Sequence, residues 1–575
     1  MESMKKFEKW LEYKNLDKEL KRQLEEIKGN TEEIDDRFYQ DLVFGTAGLR
    51  GKLGAGTNRM NYYVIARATR ALAEVIIDEG QKAMDKGIAF AYDCRIMSPE
   101  FAQEAALIMA SAGIKTYLFE SLRPTPELSF AVRYLSCIAG VNITASHNPK
   151  EYNGYKVYWK EGSQIKDDIA SKVLAKMEKL EYLADYKTLT LGEAVKSGKI
   201  IMIGEEIDRA YYENVKGESL NSDDELDKSV RIVYTPLHGA GNIAVRTMLA
   251  ETGFENVFVV EEEEKPNGHF PTTPYPNPEF VEVFEYSNKL AKKVNADIII
   301  ATDPDADRLA IEVVHKGEIK SINGNQAGVL LINYLLSTLA KKNKMPKNPV
   351  IVKSIVTGDM GTAICKKYGV EMINVLTGFK NICALSNLYE ETKEKTYVMG
   401  YEESVGYNVG TFVRDKDGVT SAVLFAEMAA YYKKQGKTLW DVLEELFKEV
   451  GYYKEKGISI VLEGIEGKNR IDRMMKEFRN IYPKNINGVK ALETTDYLVG
   501  KTTNSETGIE KPIDIEKTNA FKVTYEDGSW YTLRPSGTEP KIKLYTYVKD
   551  EKESVSDKKL GNFIDTVLEV INGIK

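Results

Sequence analysis

The chain has 575 residues, 43% hydrophobic and 29% charged, with a net charge of −8 and acids and bases interspersed. That is the balance of a globular protein too long for one core, and it disfavours general nucleic-acid binding, which needs concentrated cationic charge, while leaving room for a local cationic pocket for a small anion. No stretch reaches the about 18 apolar residues of a membrane span. The start "MESMKKFEKWLEYK" lacks an apolar signal core, and Cys94, Cys137, Cys365 and Cys383 show no Cys-x-x-Cys spacing. The expected location is cytoplasmic, with reduced thiols.

The chain opens with a helix predicted over about 3–28, placing Phe7, Trp10, Leu11, Leu20, Leu24 and Ile27 largely on one face and packing on its own domain. Three later stretches then read alike: 87–120, 231–264 and 349–376. Each begins with a short apolar, β-branched run and breaks at a polar or glycine-containing loop. Each continues at helical spacing, passes a glycine (Gly113, Gly253, Gly369) and closes on a second apolar run. Strand, loop, helix, glycine, strand makes a parallel pair with a right-handed crossover. Residues 520–548 alternate like antiparallel strands around "EDG" and "SGTEP" turns, and 558–574 return to helical spacing. The expected fold is α/β: three related mixed-sheet domains and a C-terminal α+β domain around a central cleft. The expected division is a helical arm (1–42) and domains at 43–210, 211–325, 326–450 and 451–575. The last domain is expected to move on a hinge near residues 450–515, where "TTDYLVGKTTNSETGIEKP" is polar and turn-rich.

Four loops carry candidate chemistry. In "NADIIIATDPDADRLAIEVV" (295–314), Asp303, Asp305 and Asp307 alternate between two buried apolar runs. Three carboxylates so placed repel one another unless a cation joins them, and an all-oxygen set suits Mg²⁺. An EF-hand is excluded, because Arg308 and Val314 stand where its glycine and glutamate belong. A phosphatase using Asp303 as nucleophile remains open. In "TASHNPKEYNG" (144–154), Ser146 follows an apolar run and precedes His147 and Pro149. It reads as an N-cap, a hydrolase serine or a phosphoryl carrier. The hydrolase is disfavoured because neighbours in an extended loop point apart. A phosphoserine would bring about −1.5 to −2 charges, which the carboxylate-bound metal is suited to neutralise. "GYEESVGYN" (400–408) sets acceptors for sugar hydroxyls between glycines, and "RPSGTEPK" (534–541) joins a guanidinium, two hydroxyls and a glycine turn into an oxyanion cradle. Each of these two loops also reads as an ordinary turn.

With "GTAGLRG" (45–51), these motifs in this order resemble the α-D-phosphohexomutase superfamily, over nearly the whole chain and nearest its phosphoglucomutase–phosphopentomutase-like branch. The resemblance implies that Ser146 carries the phosphoryl group. It implies that Ser146, Asp303, Asp305 and Asp307 ligate one Mg²⁺, with Arg308 beside them and Lys156 as acid–base or charge-stabilising group. Arg50 and His147 match residues close to the phosphoserine. Glu402, Ser404, Lys380, Thr377 and Gly378 match the sugar site, and Arg534, Ser536, Gly537 and Thr538 the phosphate site. Two departures stand out. Pro304 and Ala306 replace glycines in the metal loop, and Ala306 has less access to positive φ. Tyr401 replaces a glycine before the Glu pair, a candidate influence on sugar choice.

The implied reaction is reversible transfer between the 1- and 6-positions of a hexose phosphate, with a sugar 1,6-bisphosphate as intermediate and activator. Either Lys156, with a pKa lowered by burial near cations, or His147 is the expected base. The alternatives are phosphomannomutase or phosphopentomutase activity, a glucose-1,6-bisphosphate synthase, a Mg²⁺-dependent sugar phosphatase, and a non-catalytic sugar-phosphate sensor. The expected partners are small sugar phosphates, without nucleic acid or membrane.

Overall fold

Each of the three similar stretches folds as a parallel strand pair bridged by a helix. The computed structural model describes residues 2–45, 48–462, 464–536 and 541–574. The first copy is strand Ile88–Tyr92, helix Ser98–Ser111 and strand Thr116–Phe119. The second is Ile232–Thr235, Gly241–Glu251 and Val257–Val259. The third is Pro349–Ser354, Met360–Lys367 and Glu371–Val375. Gly113, Gly253 and Gly369 sit just past the helices at φ 82°, 83° and 67°, the left-handed turn that stops a helix without a Cβ clash.

The three sheets share more than this unit. In each, a further parallel strand joins on the other side of the unit's first strand and then turns back antiparallel. Ala139–Ile143 pairs with Tyr152–Trp159. Ile298–Thr302 pairs with Leu309–His315, and Thr396–Glu402 with Gly406–Val409. The loops inside these turns are 144–151, 303–308 and 403–405. The serine, acidic and sugar loops therefore occupy one topological position in three domains, at strand ends where ligands collect in α/β folds.

One continuous apolar core runs from Ala89 and Tyr117 of the first domain through Val233, Ile299 and Leu309 of the second to Leu330, Tyr401 and Leu443 of the third. The first domain has a second core on its other sheet face. The N-terminal arm differs from its expected single helix. It breaks into Glu2–Leu11 and Lys18–Glu26 because the Asp17 carboxylate accepts the Glu19 and Leu20 N–H groups as an N-cap. Phe7, Trp10 and Leu24 pack on Ala55, Tyr63 and Tyr182 of the adjoining domain.

The last domain is a twisted antiparallel sheet. Among the described residues its order is Tyr452–Val461, Lys541–Asp550, Trp530–Pro535, Phe521–Tyr525, Val489–Asp496, Lys501–Asn504 and Glu510–Pro512. Two helices, Gly464–Ile481 and Glu553–Gly573, cover it. The expected hinge segment is thus three paired strands, since its threonines and lysines alternate as an edge meander. The chain enters this domain at Gly451, φ 99°, at the start of the expected 450–515 window, between the helix Leu439–Val450 and the first strand. Among the described residues no helix is long and apolar enough to cross a membrane.

Candidate active site

The serine loop is wound tightly. Ser146 is 3% exposed and has φ 52°, so the segment is not extended there and the expectation that neighbouring side chains diverge fails. Its Oγ–H donates to Asp303 Oδ2 at 2.6 Å and lies 3.2 Å from His147 Nδ1. Its N–H donates to Thr144 Oγ1 at 2.8 Å. Arg50, on a strand paired with Tyr152–Trp159, donates to Asn148 Oδ1 at 2.9 Å. Burial, reinforced by Arg308 and Arg50, pushes the His147 pKa well below its ordinary value, leaving a neutral imidazole beside Oγ.

Across the domain boundary lie the three acids, all 0–1% exposed, with carboxylate oxygens within 4.8 Å of one another. The loop reaches this density because Ala306 takes φ 51° despite its Cβ. Its neighbours allow close approach: a Cβ on Gly239 would lie 2.5 Å from Pro304 Cα, and one on Gly418 2.6 Å from Ala306 O. Lys156 Nζ contacts Asp305 Oδ2 at 2.7 Å and Asp307 Oδ2 at 3.2 Å. Lys416, from the third domain, contacts Asp307 Oδ2 at 3.2 Å and Asp415 Oδ1 at 3.1 Å. Thr125 locks the loop to the first domain, its Oγ1–H on Asp305 Oδ2 at 2.6 Å and its N–H on Asp305 O at 2.8 Å. Tyr158 completes the ring, donating to Asp415 Oδ2 at 2.7 Å.

Charge distribution within the triad follows these partners. Burial, with Asp305 and Asp307, pushes Asp303 well above the carboxylate range. Burial also opposes ionisation of the other two, but Lys156 holds Asp305 below its ordinary value, and Lys156, Lys416 and Arg308 hold Asp307 lower still. Burial lowers the Lys156 pKa, yet Asp305 and Asp307 outweigh it and the net shift is upward. The pairing with Asp305 and Asp307 favours the ammonium form of Lys156, one of the two base candidates beside His147. Asp305 Oδ1 and Asp307 Oδ1 are buried without a hydrogen-bond partner. Two orphaned anionic oxygens beside Asp303 and a serine hydroxyl are a donor set that fits a hard divalent cation such as Mg²⁺.

Arg308 ties the acidic loop to the sugar loop. Its N–H donates to Asp303 Oδ1 at 3.0 Å, and its guanidinium to Glu279 at 2.5 Å and to Ser404 O at 3.3 Å. Glu402 accepts the Gly378 N–H at 2.8 Å, which joins "YEES" to "TGFK", and Thr377 O accepts from Asn381 at 3.0 Å. Lys380 lies 3.7 Å from Asp167 of the first domain. Tyr401 does not face a sugar: it is 0% exposed in the core. Gly328 and Gly361 make its space, since a Cβ on either would lie 2.4 Å from the Tyr401 side chain. Arg534 stands on Trp530–Pro535 opposite Lys543, hydrogen-bonded to Tyr545, whose hydroxyl also feels Glu402 and Glu403. Ser536 N–H donates to Lys541 O at 2.8 Å; Gly537 and Thr538 lie outside the described residues.

Sequence reading missed Lys416, Thr125 and Glu279. Lys416 had a signal. "RDKD" (414–417) falls between an apolar run and a 16-residue helix, Gly418–Lys433, and all four charged residues are at most 8% exposed. Charges in such a place are paired inside the protein.

Four family models match in order. Those of phosphoglucomutase/phosphomannomutase alpha/beta/alpha domains I, II and III cover residues 41–184, 209–316 and 323–450, and that of the C-terminal domain covers 474–557. A phosphoglucomutase of Staphylococcus epidermidis is 36% identical over 538 residues, 93% of this chain and 95% of that protein. One of Staphylococcus saprophyticus is 33% identical over 561 residues, 97% and 99% of the two chains. The crystal structure of the Paramecium phosphoprotein parafusin in its open form superposes with TM-score 0.69 at 16% identity, covering 93% of this chain and 95% of that one. A phosphoglucomutase/phosphomannomutase family protein of Burkholderia thailandensis gives 0.64 at 18%, covering 93% and 99%. With its sheets, its loop order and these matches in agreement, the chain belongs to the phosphoglucomutase/phosphomannomutase family.

Proposed function

We propose that the protein moves a phosphoryl group between the 1- and 6-positions of a hexose, glucose 1-phosphate and glucose 6-phosphate being the first pair, and that Ser146 carries the group between two transfers. The observation that carries this reading is the Ser146 hydroxyl itself: buried, on a left-handed backbone, and 2.6 Å from the acidic loop of another domain. An N-cap requires none of these. Asp303 is a poor phosphatase nucleophile here, since Oδ1 accepts from Arg308 N–H and Oδ2 from Ser146 Oγ–H.

When bound by Asp303, Asp305, Asp307 and Ser146, Mg²⁺ supplies charge neutralisation to the phosphoryl oxygens. In one half of the reaction the sugar hydroxyl attacks the phosphorus of phosphoserine. The P–Oγ bond breaks, the sugar oxygen loses its proton and Oγ gains one. In the other half Ser146 Oγ attacks the phosphorus of the other phosphate of the bisphosphate: its proton passes to His147 Nδ1, 3.2 Å away and neutral, the P–O bond to the sugar breaks, and the leaving sugar oxygen takes up a proton. Lys156, Arg308 and Arg50 hold fixed positive charge around the moving group, the main demand of phosphoryl transfer. Glu402, Ser404 and Lys380, on the backbone of Thr377 and Gly378, take the sugar hydroxyls. Arg534, Ser536, Gly537 and Thr538 take the phosphate that is not in transit. The sugar 1,6-bisphosphate turns end for end between the two halves and primes unmodified Ser146.

Glucose 1-phosphate, Mg²⁺ and a trace of glucose 1,6-bisphosphate test this directly. The expected results are glucose 6-phosphate and a phosphoryl mass mapped to Ser146. Ser146→Ala should lower interconversion by at least about 10⁴-fold. Inorganic phosphate release that survives Ser146→Ala would establish the phosphatase instead. Mannose and ribose 1-phosphates in the same assay rank the sugar, and net bisphosphate made from a separate donor would identify a synthase.

A further inference from the structure

Arg95 belongs to none of the motifs that define the site, yet the serine loop is wrapped around it. It is 1% exposed. Its guanidinium donates to three backbone carbonyls of the loop and to that of the first residue after it: those of Ser146 and Asn148 through one terminal nitrogen, and those of Pro149 and Tyr152 through the other, at 2.9 and 3.0 Å. Asp93 anchors the same loop from below. Asp93 Oδ1 accepts from Arg95 N–H at 2.9 Å and Ser98 Oγ at 2.8 Å, and Oδ2 accepts from Thr144 Oγ1 at 2.6 Å. Thr144 Oγ1 in turn accepts the Ser146 N–H.

A left-handed serine costs about 1 kcal/mol or more, so it persists only where its surroundings over-determine it. Turning several nearby carbonyls inward onto one cation does this. Only a forked, planar group with five donors can meet so many acceptors, and a lysine ammonium cannot. The second domain closes the arrangement. Phe270, itself at φ 45°, lies 5.0 Å from the guanidinium. Its loop is held by His238, through Thr272 Oγ1 at 3.0 Å and through the His238 carbonyl, which accepts from Asn267 N–H at 3.2 Å. Two residues on, Ala240 N–H donates to Pro304 O at 2.8 Å in the acidic loop. Arg95 thus sits where the serine loop and the acidic loop are fixed relative to each other.

We propose that Arg95 is the positioning residue of the phosphoryl carrier: it imposes the Ser146 backbone that aims Oγ at Asp303 and His147. This rests on the reading of Ser146 as carrier. Because Arg95 acts through the loop and not on the sugar, its loss should appear in kcat and not in KM. Misplacement on this scale costs about 10²-fold. In Arg95→Ala we expect kcat for glucose 1-phosphate to fall about 100-fold, with KM within about threefold of wild type. Free guanidinium ion should restore kcat at least about tenfold by refilling the fork. A kcat within about threefold of wild type overturns the proposal, as does a folded, cooperatively melting Arg95→Ala whose lost kcat guanidinium does not restore. If Arg95→Ala does not fold, Arg95→Lys decides: a lowered kcat at unchanged KM and melting temperature supports the proposal, and a wild-type kcat overturns it. Failure of the underlying functional reading shows separately, as wild-type protein that neither interconverts the sugar phosphates nor carries phosphate on Ser146.

Discussion

The first three domains and the last one are joined to the rest of the molecule in different ways. Domains one to three share a single apolar core and a buried polar ring in which Lys156, Asp305, Asp307, Lys416, Asp415 and Tyr158 come from all three. The last domain keeps its own core between its sheet and its two helices. It meets the third domain through a smaller cluster: Ile355 and Val356 against Tyr497, Trp530, Tyr545 and Tyr547. A few hydrogen bonds add to this patch, Trp530 Nε1–H to Asp359 at 2.7 Å and Tyr547 O–H to Val356 O at 2.6 Å. Groups that must agree to tenths of an ångström lie inside the shared core. The strand that carries Arg534, proposed to accept either end of a turning substrate, lies on the separately built part.

That contrast can be tested at both ends. The largest effect should come from Lys416→Met. It leaves Asp307 and Asp415 short of a buried counter-charge, and the main unfolding transition should lose about 3 kcal/mol. Calorimetry should show a separate transition of the C-terminal domain unmoved, because multidomain chains need not melt as one; equal shifts of both would mean that the two parts are one unit. Next, Mg²⁺ at about 100 times its dissociation constant should stabilise the main transition by about 2.7 kcal/mol and leave the C-terminal one in place. Arg534→Ala should raise KM for glucose 1-phosphate about tenfold with kcat held, the loss of a charged hydrogen bond outside the reacting centre. The smallest effect concerns the junction itself. Burial raises the Glu455 carboxyl, which accepts from Asn323 of the neighbouring domain at 2.8 Å, to about 7 from 4.5. The folded value exceeds the unfolded one, so this contribution is complete below pH 4.5 and is lost as pH rises through 7. A rise from 4.5 to about 7 would carry about 3.4 kcal/mol in a dry site, but Glu455 is only partly buried and its bond to Asn323 is solvent-exposed, so screening leaves about 1 kcal/mol; the C-terminal transition should weaken by that much across the window, and Glu455→Gln should flatten the profile.

The parts of the site legible in the sequence are those whose chemistry is local. Asp303, Asp305 and Asp307 announce a cation because three acids between two apolar strands have few other uses, and Ser146 stands out beside His147 in a polar turn. The repeating unit was visible through its strands and its three glycines, which act within a few residues. What escaped depends on partners far along the chain. Lys416 is defined by Asp307, Thr125 by Asp305 and Tyr401 by Gly328 and Gly361, and no periodicity links such positions. The upward Lys156 shift has the same origin, since the two carboxylates that cause it are close in space and far along the chain. The polar "TTDYLVGKTTNSETGIEKP" looked like a hinge because edge strands and linkers share threonine, lysine and glycine, and only pairing distinguishes them.

The ring around the acids also has a bearing on biosynthesis. Lys156 leaves the ribosome 149 residues before Asp305, and Lys416 follows only after most of the third domain. A nascent chain holding the first two domains has its carboxylates half caged, and Asp307 still lacks one of its cations. A chain that ends before Lys416 therefore leaves Asp307 short of one cation and lacks the strand that carries Arg534, so the ring closes only once the third domain has folded onto the first two.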